Sequence, residues 1–396
     1  MSAHDPIVIA GAARTPLGKF QGELSPLAAT ELGTIAIKAA LERAKVSPDA
    51  ISEVLMGCVL PAGLGQAPAR QAARHAGIPD AAGATTVNKV CGSGMKAAMF
   101  AHDLLKVGSA DIVVAGGMES MTNAPYLLKQ GRGGYRIGHG QVFDHLMLDG
   151  LEDAYDKGRS MGTFGEDCAE HYQFTREMQD EYAMESVRRA RDAQSSGAFD
   201  REIVKVTVAD KKGSIEVARD EHAAKLDPAK IPSLKAAFKK DGTITAAASS
   251  ANADGAAALI LTRRSVAEKN GMPILATIVG HASHAQEPAW FTTAPIPAIK
   301  KLLDKTGWKA GDVDLYEINE AFAVVAMAAI RDLGLRRDQV NVHGGAVALG
   351  HPIGATGARI IVTLLHALET HGMKRGIASL CIGGGEATAI ALERAA

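Results

Sequence analysis

Short apolar runs alternate along this chain with longer amphipathic stretches. Residues 7–10, 54–56, 112–115 and 257–261 are continuously apolar, 377–381 is broken only by Ser379, and all are too short for helices, so they read as buried strands. Residues 27–45 and 297–305 carry apolar side chains at helical spacing. Alternating strand and helix signals predict an α/β fold with mainly parallel sheets covered by helices on both faces.

Two stretches resemble one another. Cys91-Gly92-Ser93-Gly94 leads into a predicted helix (95–107) and then Asp111-Ile-Val-Val-Ala-Gly116-Gly117. Gly350-His351-Pro352-Ile353-Gly354 leads into a predicted helix (355–369) and then Gly376-Ile-Ala-Ser-Leu-Cys381-Ile-Gly383-Gly384. Each runs from glycine-rich turn to helix to buried strand to paired glycines, the mark of a duplicated half-domain, with chance likeness of two βα units as the alternative. Residues 123–245 are richer in charge and loops, with one strong helix predicted over 176–193, and read as an insertion in the first half. The second half starts near Met272-Pro273.

Lysine plus arginine (43) and aspartate plus glutamate (44) nearly cancel across 396 residues, so no global field draws in nucleic acid or an anionic membrane. Any phosphate-bearing ligand must be held by local groups. The longest apolar run, 321–330, falls short of a membrane span, and neither end carries a recognisable targeting or lipidation signal. The four cysteines form no CxxC pair and have no histidine at zinc-site spacing. That argues against a disulfide scaffold and a structural metal, and fits a reducing cytoplasm.

Cys91 lies between a presumed strand end and a helix start, where the helix dipole favours thiolate, and flanking glycines permit a sharp elbow. The alternative is a buried structural cysteine; the glycines favour a nucleophile. Cys381 precedes Gly383-Gly384-Gly385, whose backbone N–H groups can converge on an oxyanion or simply make a tight turn. His351 sits in a frame of glycines beside Pro352 and suits a general base. Asn319 opens Asn319-Glu320-Ala321-Phe322 before an apolar helix (321–330); it is either the helix cap or a holder of a water or oxyanion.

Together, Asn88-Lys-Val-Cys91-Gly-Ser-Gly, Asn319-Glu-Ala-Phe322, Gly344-Gly…Gly350-His351-Pro-Ile-Gly and Cys381-Ile-Gly383-Gly-Gly closely resemble the thiolases. The likeness extends from Ile7 to the C-terminus. It implies a five-layered αβαβα core of two duplicated halves with an inserted loop domain. The expected divisions are 1–122 plus 248–274, the insert 123–247, and 275–396.

The resemblance also implies roles. Cys91 would take an acetyl group from acetyl-CoA, and His351 would accept its proton. Cys381 would remove an α-proton from a second acetyl-CoA. His351 and a water on Asn319 would stabilise the enolate, while the N–H groups of Cys91 and Gly383 would hold the tetrahedral oxyanion. Ser250 matches a pantetheine contact; Met161, Phe291 and Phe322 match acyl-pocket positions; Lys225 is a candidate 3′-phosphate partner or a solvated surface lysine. Ser160 stands where many short-chain members have histidine, and Phe291 where methionine is common.

The expected activity is formation of acetoacetyl-CoA and CoA. Broader 3-ketoacyl-CoA cleavage and a non-catalytic CoA- or lipid-binding relative are the alternatives. Coenzyme A enters as substrate and product, with no resident cofactor, metal, nucleic acid or membrane partner. A cytoplasmic homo-oligomer, dimer or tetramer, is expected, with Gly140-Gln-Val-Phe-Asp-His as a candidate tetramer-forming loop.

Overall fold

The computed structural model describes residues 5–210 and 213–395. The principal strands are β1 (Ile7–Arg14), β2 (Glu53–Gly57), β3 (Gly83–Val87), β4 (Ile112–Ser120), β5 (Ala253–Arg263), β6 (Ala276–Ala285), β7 (Leu315–Ile318), β8 (Arg375–Ile382) and β9 (Glu386–Arg394). They form a ten-stranded sheet in the order β7-β8-β9-β6-β1-β5-β4-β2-β3, with the short strand Gly18–Lys19 added beside β5. The principal helices are α1 (Ala29–Ala44), α2 (Pro68–His75), α3 (Ser93–Val107), α4 (Met161–Tyr172), α5 (Arg176–Ser196), α6 (Pro295–Thr306), α7 (Ala323–Leu333) and α8 (Ile353–Thr370).

The duplication is visible in the ladders. In the first half β2 runs parallel to β4, and β4 pairs antiparallel with β5, which pairs antiparallel with β1. In the second half β7, β8, β9 and β6 repeat this order and these senses. Even the irregularity repeats: β1 shifts register between Ile9 and Gly11, and β6 between Ile278 and Gly280. The halves meet where Val8 and Ile9 pair with Thr277 and Ala276.

Strand alternation builds the layers. On β5, Ala256, Ala258 and Ile260 face a core shared with α1 and α2. Their neighbours Ala257, Leu259 and Leu261 face a central core with α3, α8 and the β8 residues Ala378 and Leu380. On β8, Ile377 and Cys381 turn instead to a third core with α6 and α7. Helices therefore lie outside each half-sheet, and α3 and α8 lie between them.

The expectation of mainly parallel sheets is corrected. Only β2–β3, β2–β4 and β7–β8 are parallel; β1 and β5 are antiparallel to their neighbours. An unbroken apolar run reports burial on both faces and carries no information on strand direction.

The connection from β4 to β5, residues 121–252, carries α4, α5 and two hairpins, Tyr126–Leu127 with Phe143–Asp144 and Val206–Asp210 with Gly213–Val217. Arg14 of β1 fastens it. Its guanidinium is fully buried and bonds Glu202 (Nε to Oε1, 2.6 Å) and Asp220 (Nη1 to Oδ1, 2.7 Å; Nη2 to Oδ2, 2.9 Å). Truncating one partner of such a group strands buried charge at about 3–5 kcal/mol. Arg14→Ala should lower the urea unfolding free energy by about that amount; a change under about 1 kcal/mol would show that the carboxylates find other partners.

Candidate active site

Cys91 lies directly before Gly92, the N-cap of α3. The loop is tied down locally: Asn88 Oδ1 accepts the N–H of Val90 at 3.0 Å, Ser93 Oγ accepts that of Lys89 at 2.9 Å, and Ser93 Oγ donates to the Val90 carbonyl at 2.6 Å. Val90 adopts φ +46°, a left-handed conformation that costs a β-branched residue energy. The expected sharp elbow thus falls on Val90, while Gly92 has φ −81°. Gly92 instead allows close approach: a Cβ there would come within 2.4 Å of Ile382 Cδ1, and that side chain would have to shift.

The expected thiolate is corrected as well. Burial pushes the Cys91 thiol up to about 11, against the pull of the N–H groups of Gly383 and Cys91 itself. Near neutral pH it rests as a thiol and needs a base.

His351 precedes α8 and is buried; its N–H donates to the Ala251 carbonyl at 2.9 Å. Its Nδ1 lies 2.7 Å from Thr356 Oγ1, and that hydroxyl donates to the Pro352 carbonyl at 2.9 Å. The hydroxyl proton is therefore committed, so Oγ1 accepts from Nδ1–H and the ring's lone pair is on Nε2. Nε2 has no protein partner. Burial, helped by Arg359, lowers the imidazolium to about 3, so His351 is neutral at pH 7 with a free acceptor.

Cys381 is buried on β8, and its thiol is raised, chiefly by burial. The turn after β8 brings Gly383 beside Met161 and Val90: a Cβ on it would lie 3.4 Å from Met161 Sδ and 3.8 Å from Val90 Cγ1. Asn319 follows β7, is 1% exposed, and neither Oδ1 nor Nδ2 has a protein partner. It is not the helix cap, because α7 is capped at Phe322.

A cavity of about 430 Å³ opens onto His351, walled also by Met161, Ser250 and Phe322 among the expected residues; Cys91, Cys381, Asn319 and Gly383 are not in its wall. Ile353, also in its wall, shares an apolar cluster with Cys91. Phe238 of the insert packs edge-on against Phe322 at 5.8 Å and completes one side. Phe291 lies outside the wall, buried edge-on against Phe164 at 6.1 Å. Lys225 lines a neighbouring depression with Lys19 and Lys230, and its Nζ bonds Glu221 at 2.5 Å and sits 3.6 Å from Glu23. His222 borders both spaces.

Sequence reasoning passed over three buried supports. Thr356 sets the imidazole tautomer. Glu320 binds Tyr182, Ser186, Asn341 and the Val347 N–H at 2.8–3.2 Å, joining the Asn319 loop to α5 and to the segment before His351. Glu119 is fully enclosed at the end of β4. A lone carboxylate following Gly116-Gly117-Met118 in an apolar strand was the available signal for it.

Two family models cover the chain: the thiolase N-terminal domain over residues 7–265 and the thiolase C-terminal domain over residues 272–394. Acetyl-CoA acetyltransferase 2 of Arabidopsis thaliana is 51% identical over 390 residues, 98% of this chain and 96% of that protein. The acetyl-CoA acetyltransferase of Cupriavidus necator is 48% identical over 392 residues, covering 98% and 99%. Among solved structures, the Acat5 thiolase of Ascaris suum in complex with coenzyme A matches with TM-score 0.94 at 43% identity, covering 98% of this chain and all of that one. The acetyl-CoA acetyltransferase of Bacillus anthracis matches with TM-score 0.96 at 41% identity, covering 99% of each.

Fold and relatives together define an acyl-transferring enzyme. This chain belongs to the thiolase family, and the five-layered fold expected from its motifs is the one observed.

Thr356→Val, which keeps the side chain's shape but removes the acceptor for Nδ1–H, should lower kcat about tenfold and leave KM for the thioester nearly unchanged. Steady-state kinetics would detect it, and an unaltered kcat would refute the tautomer assignment.

Proposed function

We propose that this chain is an acetyl-CoA C-acetyltransferase that reversibly condenses two acetyl-CoA into acetoacetyl-CoA and CoA through an acetyl-Cys91 intermediate. The observation that carries the reading is a neutral imidazole with a free Nε2 on the wall of the cavity, with Cys91 packed in the apolar cluster of the wall residue Ile353 and Gly383 set beside the wall residue Met161.

Acylation starts when His351 Nε2 takes the Cys91 proton as the sulfur attacks the thioester carbonyl. The N–H groups of Cys91 and Gly383 then hold the oxyanion until the CoA thiolate leaves with the proton from His351. Burial holds Cys381 as a thiol at rest, so it gives up its proton to water before it acts as the second base. Cys381 takes the α-proton of the second acetyl-CoA, and the enolate oxygen is held by His351 and a water on Asn319. The enolate carbon attacks the acetyl carbonyl and releases the Cys91 thiolate, which recovers a proton.

Ser250, Met161 and Phe322 suit the pantetheine and acyl ends of the substrate because they wall the cavity. Lys225 and the neighbouring lysines suit its phosphates. Phe291 acts on the acyl pocket only through the packing beneath it.

The reading needs no resident cofactor or metal. No described helix is long and apolar enough to cross a membrane; a cytoplasmic setting rests on the free cysteines and on a 47%-identical mouse relative named as cytosolic. Tetramer formation is supported by the exposed Tyr126, Leu128, Ile137 and Val142 around the 126–144 hairpin.

CoA-dependent cleavage of acetoacetyl-CoA, a longer 3-ketoacyl-CoA and a 2-methyl-branched homologue tests the assignment, with Cys91→Ala as control. Cleavage of acetoacetyl-CoA that outpaces the others is expected; faster cleavage of the longer substrate would move the enzyme to the degradative branch. Absence of Cys91-dependent cleavage would refute the reading. Asn319→Ala should lower kcat on the order of 10²-fold while its unfolding transition stays close to the parent's; parent-like turnover would remove Asn319 from the enolate site.

A further inference from the structure

Glu119 closes β4 with a carboxylate that serves no ladder. Its Oε2 accepts the N–H groups of Val59 and Gly354, each at 2.9 Å, and its Oε1 accepts that of Leu60 at 3.2 Å, with Cys58 Sγ at 3.6 Å. Val59 and Leu60 follow β2. Gly354 lies in the first turn of α8, close after His351.

The Gly354 peptide is held from the other side as tightly. A Cβ on Gly57, Gly94 or Gly117 would come within 2.6, 3.1 or 2.1 Å of its carbonyl oxygen. A Cβ on Gly354 itself would lie 2.5 Å from Glu119 Oε2. Gly94 belongs to the first turn of α3, next to Cys91. The two peptides that flank the Gly354 Cα are thus gripped by β2, β4 and the helix that carries the nucleophile.

We propose that Glu119 is a positioning residue for acyl transfer: its ionised carboxylate fixes the first turn of α8, and with it His351, in register with Cys91. The role rests on the acyl-transfer reading above. Only the carboxylate form offers acceptors to all three N–H groups without placing a proton of its own among them. Protonation would turn one oxygen into a donor facing a backbone donor.

Burial raises this carboxyl to about 7 even though the three N–H groups pull it down. The titratable groups facing it are the Cys58 thiol, from the segment after β2, and the Cys91 thiol, from the head of α3; burial keeps both protonated near neutrality. Helix α8 contributes only backbone to the contact. A raised carboxyl is ionised above its pKa, so the clamp is present above about pH 7 and is lost as pH falls through it. His351, lowered to about 3, does not titrate in that range.

The test is kcat and KM for acetoacetyl-CoA thiolysis from pH 5.5 to 9 in the wild type, Glu119→Gln and Gly354→Ala. Glu119→Gln should lower kcat roughly tenfold to hundredfold, change KM far less, and abolish the acid limb near pH 7. Gly354→Ala, which crowds the clamp, should lower kcat but keep that limb. Parent-like kcat in Glu119→Gln, or a reduced kcat that keeps the parent's acid limb, would overturn the proposal. Should Glu119→Gln fail to fold, a wild type without an acid limb near pH 7 and a fully active Gly354→Ala would overturn it. A wild type inactive at every pH refutes the acyl-transfer reading itself, and the positioning role with it.

Discussion

The heads of α3 and α8 touch backbone to backbone, and everything in the site is hung from that contact. A Cβ on Gly357 would lie 2.3 Å from the Met95 nitrogen, and one on Gly94 would lie 2.7 Å from the Ala358 nitrogen. Only glycine at both places lets the helices approach so closely. Cys91 precedes one helix and His351 the other, so the contact brings together the proposed nucleophile and its proposed base. Two positive helix ends side by side repel, and they also give negative charge formed between them a favourable place to develop.

The two thiols and the imidazole are nevertheless uncharged at rest. A helix end contributes about 0.3–1 kcal/mol at the surface and ~2 in favourable partly buried geometries, whereas enclosing an ion in protein costs several. Burial wins, which is why Cys91 and Cys381 are held as thiols and His351 as a neutral ring. In the proposed reaction charge develops only transiently, on atoms that the N–H groups beside the sulfur, the free Nε2 and the Asn319 amide would hold. Preorganised dipoles of this kind act without reorganisation at the moment of bond making.

Much of this was legible in the chain. The repeated turn–helix–strand pattern foretold the two halves, and Cys91, His351, Asn319 and Cys381 stood out because glycines or an apolar helix frame them. Strand direction was not legible, since β4, with one parallel and one antiparallel neighbour, and β5, with antiparallel neighbours, are both buried along their length. Nor was the protonation of Cys91, which depends on enclosure by parts of the chain far away in sequence. Glu119 and Thr356 escaped because each works through backbone or ring partners that only the folded chain assembles. Phe291 matched a motif, but the fold packs it behind the cavity instead of on its wall.

The duplicated halves differ most at a single joint. Where β8 turns into β9 through Gly383, Gly384 and Gly385, the first half carries residues 121–252 between β4 and β5, yet Ile112–Ser120 still pairs with β5 without interruption. Lengthening a connection between strands already in register is inexpensive in chain entropy: at about 0.6 kcal/mol per doubling, a growth from a few residues to more than a hundred amounts to ~3 kcal/mol. The joint therefore behaves as a grafting point. Material that shapes the approach to the cavity, Phe238 and Met161 among it, is thereby joined to the fold without bearing on the spacing of the paired helices α3 and α8.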